Sequence, residues 1–110
     1  MTNMKILINA PFQVNDGLKE VIEEKVGKLT NFFERITETE VFLKIGDKRH
    51  RHREQIVELR IAVPGQTLFA EQRSDAVEKA VAAATEKARK QLLKYKAQTQ
   101  SPNHVNIKPD

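Results

Sequence analysis

The sequence predicts an α+β fold in the order β-α-β-β-β-α, a four-stranded mixed sheet with both helices packed on one face. Three observations lead there. Two long segments repeat apolar residues at three- and four-residue steps, the period of an amphipathic helix. Two others alternate apolar with polar residues, the period of a half-buried strand, and a shorter segment follows the second across a tight turn. Near the N-terminus, Ile6, Leu7 and Ile8 run together and a proline follows, which suits a covered strand.

The first strand is expected over Lys5 to Ala10, central in its sheet and ended by Pro11. Asn15 then caps a helix from Asp16 to about Phe33, with Leu18, Val21, Ile22, Val26, Leu29, Phe32 and Phe33 on its apolar side. Gly17 and Gly27 each cost that helix roughly 1 kcal/mol against alanine, which its apolar seam offsets. Thr39 to Ile45 reads as the second strand, with Val41, Leu43 and Ile45 inward and Phe42 outward. Gln55 to Val63 is the third, with Val57, Leu59, Ile61 and Val63 inward, and Pro64-Gly65 turns the chain into a fourth strand over Thr67 to Glu71.

The last helix is expected over Ser74 to Tyr95, with Ser74 as N-cap, Asp75 and Glu78 in its first turn, and cations near its end. At roughly 100° per residue, Val77, Ala80, Val81, Ala84, Ala88, Gln91, Leu92 and Tyr95 share one face. Lys79, Lys87, Lys90 and Lys94 fall within about 80° of one another opposite it. A parallel pair needs a long connection, so the first helix is the crossover that sets the first strand beside a neighbour. With one apolar seam per helix, both pack on one sheet face and leave the other polar. Residues 1–96 form one domain, and 97–110, with two prolines and few apolar side chains, form a flexible tail.

The chain has 110 residues, no cysteine and a formal net charge of +4. Without cysteine there is no disulfide framework and no thiolate metal site or nucleophile. No apolar run approaches the ~20 residues of a membrane span and no leader pattern opens the chain, so a soluble cytoplasmic protein is expected. The charge is uneven. Up to Gly46, six basic residues meet seven acidic ones; from Asp47 to Arg73, six meet four; from Ser74 to Lys96, six meet three. An excess confined to one loop and one helix points to a polyanionic partner such as nucleic acid. Read as residues alone, the same lysines also suit a solvated surface, because Glu20, Glu23, Glu24 and Glu86 interleave them at pairing distance.

Four stretches in one order carry a resemblance: LKEVIEEKVGKLTNFFERI from Leu18 to Ile36, VFLK from Val41 to Lys44, LFAE from Leu68 to Glu71, and KARKQLLKYK from Lys87 to Lys96. Together they resemble the ribosome hibernation promoting factor family, which includes protein Y. The resemblance implies a fold similar to a double-stranded RNA-binding domain. It implies a non-enzymatic, cofactor-free inhibitor whose partner is the small ribosomal subunit and its rRNA, bound in the mRNA/tRNA channel near the decoding centre to block translation under stress. It implies no small-molecule substrate, no membrane and no required homo-oligomer, and at this length it implies the short form.

By motif position the resemblance assigns RNA contact to Lys19, Lys25 and Lys28 on the first helix, Lys44 at the end of the VFLK strand, and Lys87, Lys90, Lys94 and Lys96 on the second helix. Lys79 joins them from helical spacing alone. A rigid helix with cations along a stripe can follow a phosphate backbone without reading bases.

The run Lys48, Arg49, His50, Arg51, His52, Arg53 has no counterpart in the resemblance, and two readings stay open: a loop reaching RNA, or a hairpin kept soluble by charge. A metal on His50 and His52 is disfavoured by the surrounding arginines and the lack of a third ligand. Phe42 is read as simple surface in preference to a base-stacking platform, and Tyr95 as core edge. No phosphate loop, Ser-His-acid set or paired-carboxylate site is identifiable, so the expectation is no enzyme, no cofactor and no metal. The alternatives to a ribosome factor are a general double-stranded RNA-binding module and a protein-protein adaptor.

Overall fold

The computed structural model describes residues 4–46 and 54–100. The elements are β1 (Lys5–Asn9), α1 (Asp16–Gly27) with a 3-10 turn at Lys28–Asn31, β2 (Glu38–Ile45), β3 (Gln55–Val63), β4 (Gln66–Ser74) and α2 (Val77–Gln100). The sheet order is β1-β2-β3-β4, with β1 parallel to β2 through the α1 crossover and the other pairs antiparallel. β1 is therefore an edge strand, where its apolar run suggested a central one. Ile6 and Ile8 face the helices and are partly covered, while Leu7 points to the other face and is 38% exposed. Three consecutive apolar residues leave this position ambiguous, because they do not show which of the two faces is wet.

Asn15 caps α1 as its side chain permits, the Leu18 amide donating to Oδ1 at 2.8 Å. The α-helical hydrogen bonding stops at Gly27, earlier than the apolar pattern suggests, and continues as a 3-10 turn in which the Thr30 hydroxyl donates to the Gly27 carbonyl at 2.9 Å. The tighter turn keeps Leu29 fully buried and brings Phe33 into the core. Between β3 and β4, Pro64 and Gly65 form a two-residue hairpin loop. Gly65 has φ +85°, which a side chain would strain, and this is the conformation that a Pro-Gly turn requires at its second position.

α2 starts later and ends later than its sequence signals indicate. Ser74 completes β4 and turns its hydroxyl to the Asp75 carboxylate at 3.2 Å, so it does not cap the helix. The first intrahelical bond runs from the Ala80 amide to the Ala76 carbonyl. β4 outcompetes the cap because its ladder continues to a Ser74–Gln55 pair. At the other end the helix runs on through Lys96 to Gln100, and residues 101–110 lie outside the described residues.

The core lies between the helices and one sheet face. Val41, Leu43, Val57, Leu59 and Ile61 from the sheet meet Ile22, Val26 and Leu29 from the first helical segment and Ala80, Val81, Ala84, Ala88 and Leu92 from α2, all at 3% exposure or less. The three alanines let α2 approach the sheet closely. Thr39 is fully buried, its hydroxyl donating to Met4 Sδ at 3.1 Å. Tyr95 sits at the core edge as expected, its ring edge-on to Phe33 at 5.3 Å and its hydroxyl donating to the Pro64 carbonyl at 2.6 Å. That bond ties the end of α2 to the β3–β4 turn, and α1 and α2 consequently run in the same direction across the sheet.

Candidate nucleic-acid interface

The two helices divide their predicted cations among four places, and Lys44 stands apart on the sheet. Between α1 and α2 lies an open cleft of about 210 Å³. Its rim carries Lys25 and Lys28 on one side and Arg89 and Glu86 on the other, and its floor is Leu29, Phe32, Ala82 and Thr85. The guanidinium of Arg89 lies 5.7 Å from the centroid of the Phe32 ring and donates to both carboxylate oxygens of Glu86, from Nε to Oε1 at 3.1 Å and from Nη2 to Oε2. The Arg89 bond holds the Glu86 carboxyl below its ordinary range. Three cations against one carboxylate leave the cleft positive.

A second hollow, about 270 Å³, opens where the 3-10 turn meets the end of α2 and is lined by Asn31, Phe32, Phe33, Glu34, Arg35 and Lys96. Arg35 lies 5.6 Å from the Phe33 ring centroid. Arg35 and Lys96 therefore extend the positive line from the cleft toward the far end of the helices. Lys96 is among the RNA contacts that the resemblance assigns; Arg35 and Arg89 are not. Arg89 falls outside the lysine stripe by helical angle, and Arg35 lies in the irregular segment after α1, where no periodicity predicts a direction.

The lysine stripe of α2 is elsewhere. Buried Ala84, Ala88, Leu92 and Tyr95 fix the inward side, and Lys79, Lys87, Lys90 and Lys94 turn from the outer crest toward β4, away from α1. Lys87 Nζ reaches the Glu71 carbonyl of β4 at 3.5 Å, and beside it the Gln91 amide donates to the Phe69 carbonyl at 2.5 Å. Lys79 is paired with Asp75 at 3.6 Å, both largely exposed, a contact of small energetic weight. Lys90 is exposed on the crest.

Lys19 is separated from Lys25 by about 120° around α1 and lines a different groove, beside β1 with Ile6, Leu7, Ile8, Val14 and Glu23. Lys19, Lys25 and Lys28 thus do not stand together beside α2; only the last two do. Lys44 is on the opposite sheet face, its Nζ 3.0 Å from Glu58 Oε1. The run Lys48, Arg49, Arg51 and Arg53 with its two histidines lies outside the described residues. Among the described residues no cluster of metal-ligating side chains occurs, and no helix is long and apolar enough to cross a membrane.

Comparison with known proteins gives the family of this fold. Residues 9–100 match the family described as Sigma 54 modulation protein / S30EA ribosomal protein. A ribosome hibernation promotion factor from Deinococcus radiodurans is 31% identical over 84 residues, covering 76% of this chain and 44% of that protein. The chain thus spans less than half the length of that relative. A solved ribosomal subunit interface protein from Coxiella burnetii superposes with a TM-score of 0.75 at 26% identity, over 86% of this chain and 99% of that one. The N-terminal domain of Thermus thermophilus Protein Y shares the fold, with a TM-score of 0.70 at 18% identity, over 86% and 99% of the two chains. With the element order, the mixed sheet and 92 consecutive residues in agreement, the chain belongs to the Sigma 54 modulation protein / S30EA ribosomal protein family.

Proposed function

We propose that this protein is a non-enzymatic ribosome hibernation factor, bound through its helical face to rRNA of the small subunit in the channel that mRNA and tRNA otherwise occupy. The observation that carries the reading is the positive line along the helix layer: Lys25, Lys28 and Arg89 at the cleft, with Arg35 and Lys96 beyond it. Family membership and the names of the relatives supply the ribosome; the line of cations supplies a surface suited to a phosphate backbone. In this reading Lys90 and Lys94 add a second, outer track, and Arg89 exchanges Glu86 for a phosphate on docking. Inhibition is steric: a folded domain in the channel excludes the other ligands, and the cations supply attraction and register.

Co-sedimentation with purified small subunits tests this. About five phosphate contacts lower affinity by on the order of 10²–10³ between 50 and 200 mM salt. Binding is expected to compete with mRNA and initiator tRNA. Equal capture by free duplex RNA, with no preference for subunits, would instead make the protein a general RNA-binding module.

A further inference from the structure

The sheet face turned away from the helices is uncovered among the described residues, and its chemistry is unlike that of the helix layer. Strand register sets four residues side by side across it: Leu7 opposite Glu40, Glu40 opposite Arg60, and Arg60 opposite Phe69. The row reads apolar, acidic, basic, apolar. Leu7 is 38% and Phe69 52% exposed. Arg60 has its guanidinium carbon 4.3 Å from the Phe42 ring centroid and 5.9 Å from that of Phe69, with Nε 3.4 Å from Glu58 Oε2. Its cation is therefore held over two aromatic rings at the centre of the face, with donors to spare. Glu40, directly opposite in the ladder, has no ion-pair partner among the described residues.

We infer that this face is a self-association surface that takes a second copy of the chain, sheet against sheet, about a two-fold axis. An axis lying between the two sheets and running along the strands midway between β2 and β3 exchanges β1 with β4 and β2 with β3. It sets Leu7 against Phe69 of the partner subunit and Glu40 against Arg60 of the partner subunit. The two-fold then repeats both contacts, as an isologous interface demands. A modest tilt of the axis gives the roughly 30° crossing at which aligned sheets pack about 10 Å apart.

Charge decides against RNA as the occupant. The face carries Lys5, Lys44, Arg60 and Arg73 against Glu38, Glu40, Glu58 and Glu71, four of each, so it offers a polyanion no net attraction. A balanced mosaic with a palindromic row suits a copy of itself. Three strands of eight or nine residues and one of five present on the order of 500 Å² per copy, roughly 1,000 Å² in total. That is the size range of weak, transient complexes. Both helix layers stay open in such a pair.

Sedimentation velocity of the full chain, from about 5 to 500 µM, provides the test. The weight-average coefficient is expected to rise toward that of a dimer. Glu40→Arg and Arg60→Glu are each expected to weaken association about tenfold or more, and their combination to restore it to within about threefold. Phe69→Glu, at an exposed position, is expected to abolish it with an unchanged circular dichroism spectrum. A coefficient that stays monomeric throughout would overturn the inference, as would association indifferent to all three single changes. Capture of a fluorescent single-stranded oligouridine by the wild type and its loss in Phe69→Glu would assign the face to RNA and also overturn it.

Discussion

Helix α2 and the outer sheet face each carry eight charged residues and use them in opposite ways. On α2, six cations meet two carboxylates, and the one nearest α1, Arg89, joins Lys25 and Lys28 around the cleft between the helices. On the sheet, four cations meet four carboxylates, with Lys44 and Arg60 both spent on Glu58 and Arg73 spent at 3.2 Å on Glu54, just before β3. Unpaired excess on a rigid element makes a field that reaches outward, whereas paired charge makes a surface that is solvated but silent at a distance. One protein thus presents one face suited to a polyanion and one suited to a neutral, self-complementary partner.

Reversing charges on the two sides should separate them most clearly. The triple change Lys25→Glu, Lys28→Glu, Arg89→Glu is expected to lower affinity for small subunits about 10³-fold, since charge-assisted bonds are each of the order of 1.5–3 kcal/mol and repulsion is added. Glu40→Arg on the sheet is expected to change it by less than about threefold. Co-sedimentation at fixed salt measures both, and equal losses would dissolve the distinction between the faces.

Stability divides the same way. Leu92→Ala, on the fully buried side of α2, should cost about 3 kcal/mol in urea denaturation, while Phe69→Ala on the half-exposed sheet face should cost under about 1.5 kcal/mol. A smaller effect, about 1 kcal/mol, is expected for Tyr95→Phe, which removes the hydroxyl bond to the Pro64 carbonyl and with it the tie between α2 and the β3–β4 turn. Hydrogen exchange of the last turns of α2 should speed up in that variant; unchanged exchange would show that packing against Phe33 suffices.

The smallest expected effect is a pH dependence belonging to the sheet side. The Glu58 carboxyl is held below its ordinary value of 4.5 chiefly by its bond from Lys44, with Arg60 adding to this and partial burial opposing it. The folded protein therefore binds fewer protons here than the unfolded chain does. This contribution is complete above the ordinary value and is lost as pH falls through the folded one. The urea midpoint should drop less steeply between about pH 6 and pH 3 in Glu58→Gln than in the wild type, with subunit binding at neutral pH unaltered.

Much of the fold is legible in the residues themselves. Strict alternation in Val57, Leu59, Ile61 and Val63 places β3 to the residue, Asn15 places the start of α1, and Pro64-Gly65 places the hairpin, because each rests on local backbone or side-chain chemistry. The apolar seam of α2 is likewise read correctly, since helical period fixes which side chains share a face. Local chemistry misleads where two local solutions compete: Ser74 suits an N-cap, but the β4 ladder claims it.

Tertiary structure alone decided which cations are neighbours. Helical angles relate Lys79, Lys87, Lys90 and Lys94 to one another, but only the packing of α1 against α2 shows that Arg89 meets Lys25 and Lys28 while those lysines turn toward β4. In the same way, sequence places Phe42 on an outward face, and only strand register puts Arg60 between it and Phe69. Periodicity describes one element at a time; the distance between charges on two elements depends on how their buried faces fit, and that is a property of the packed whole.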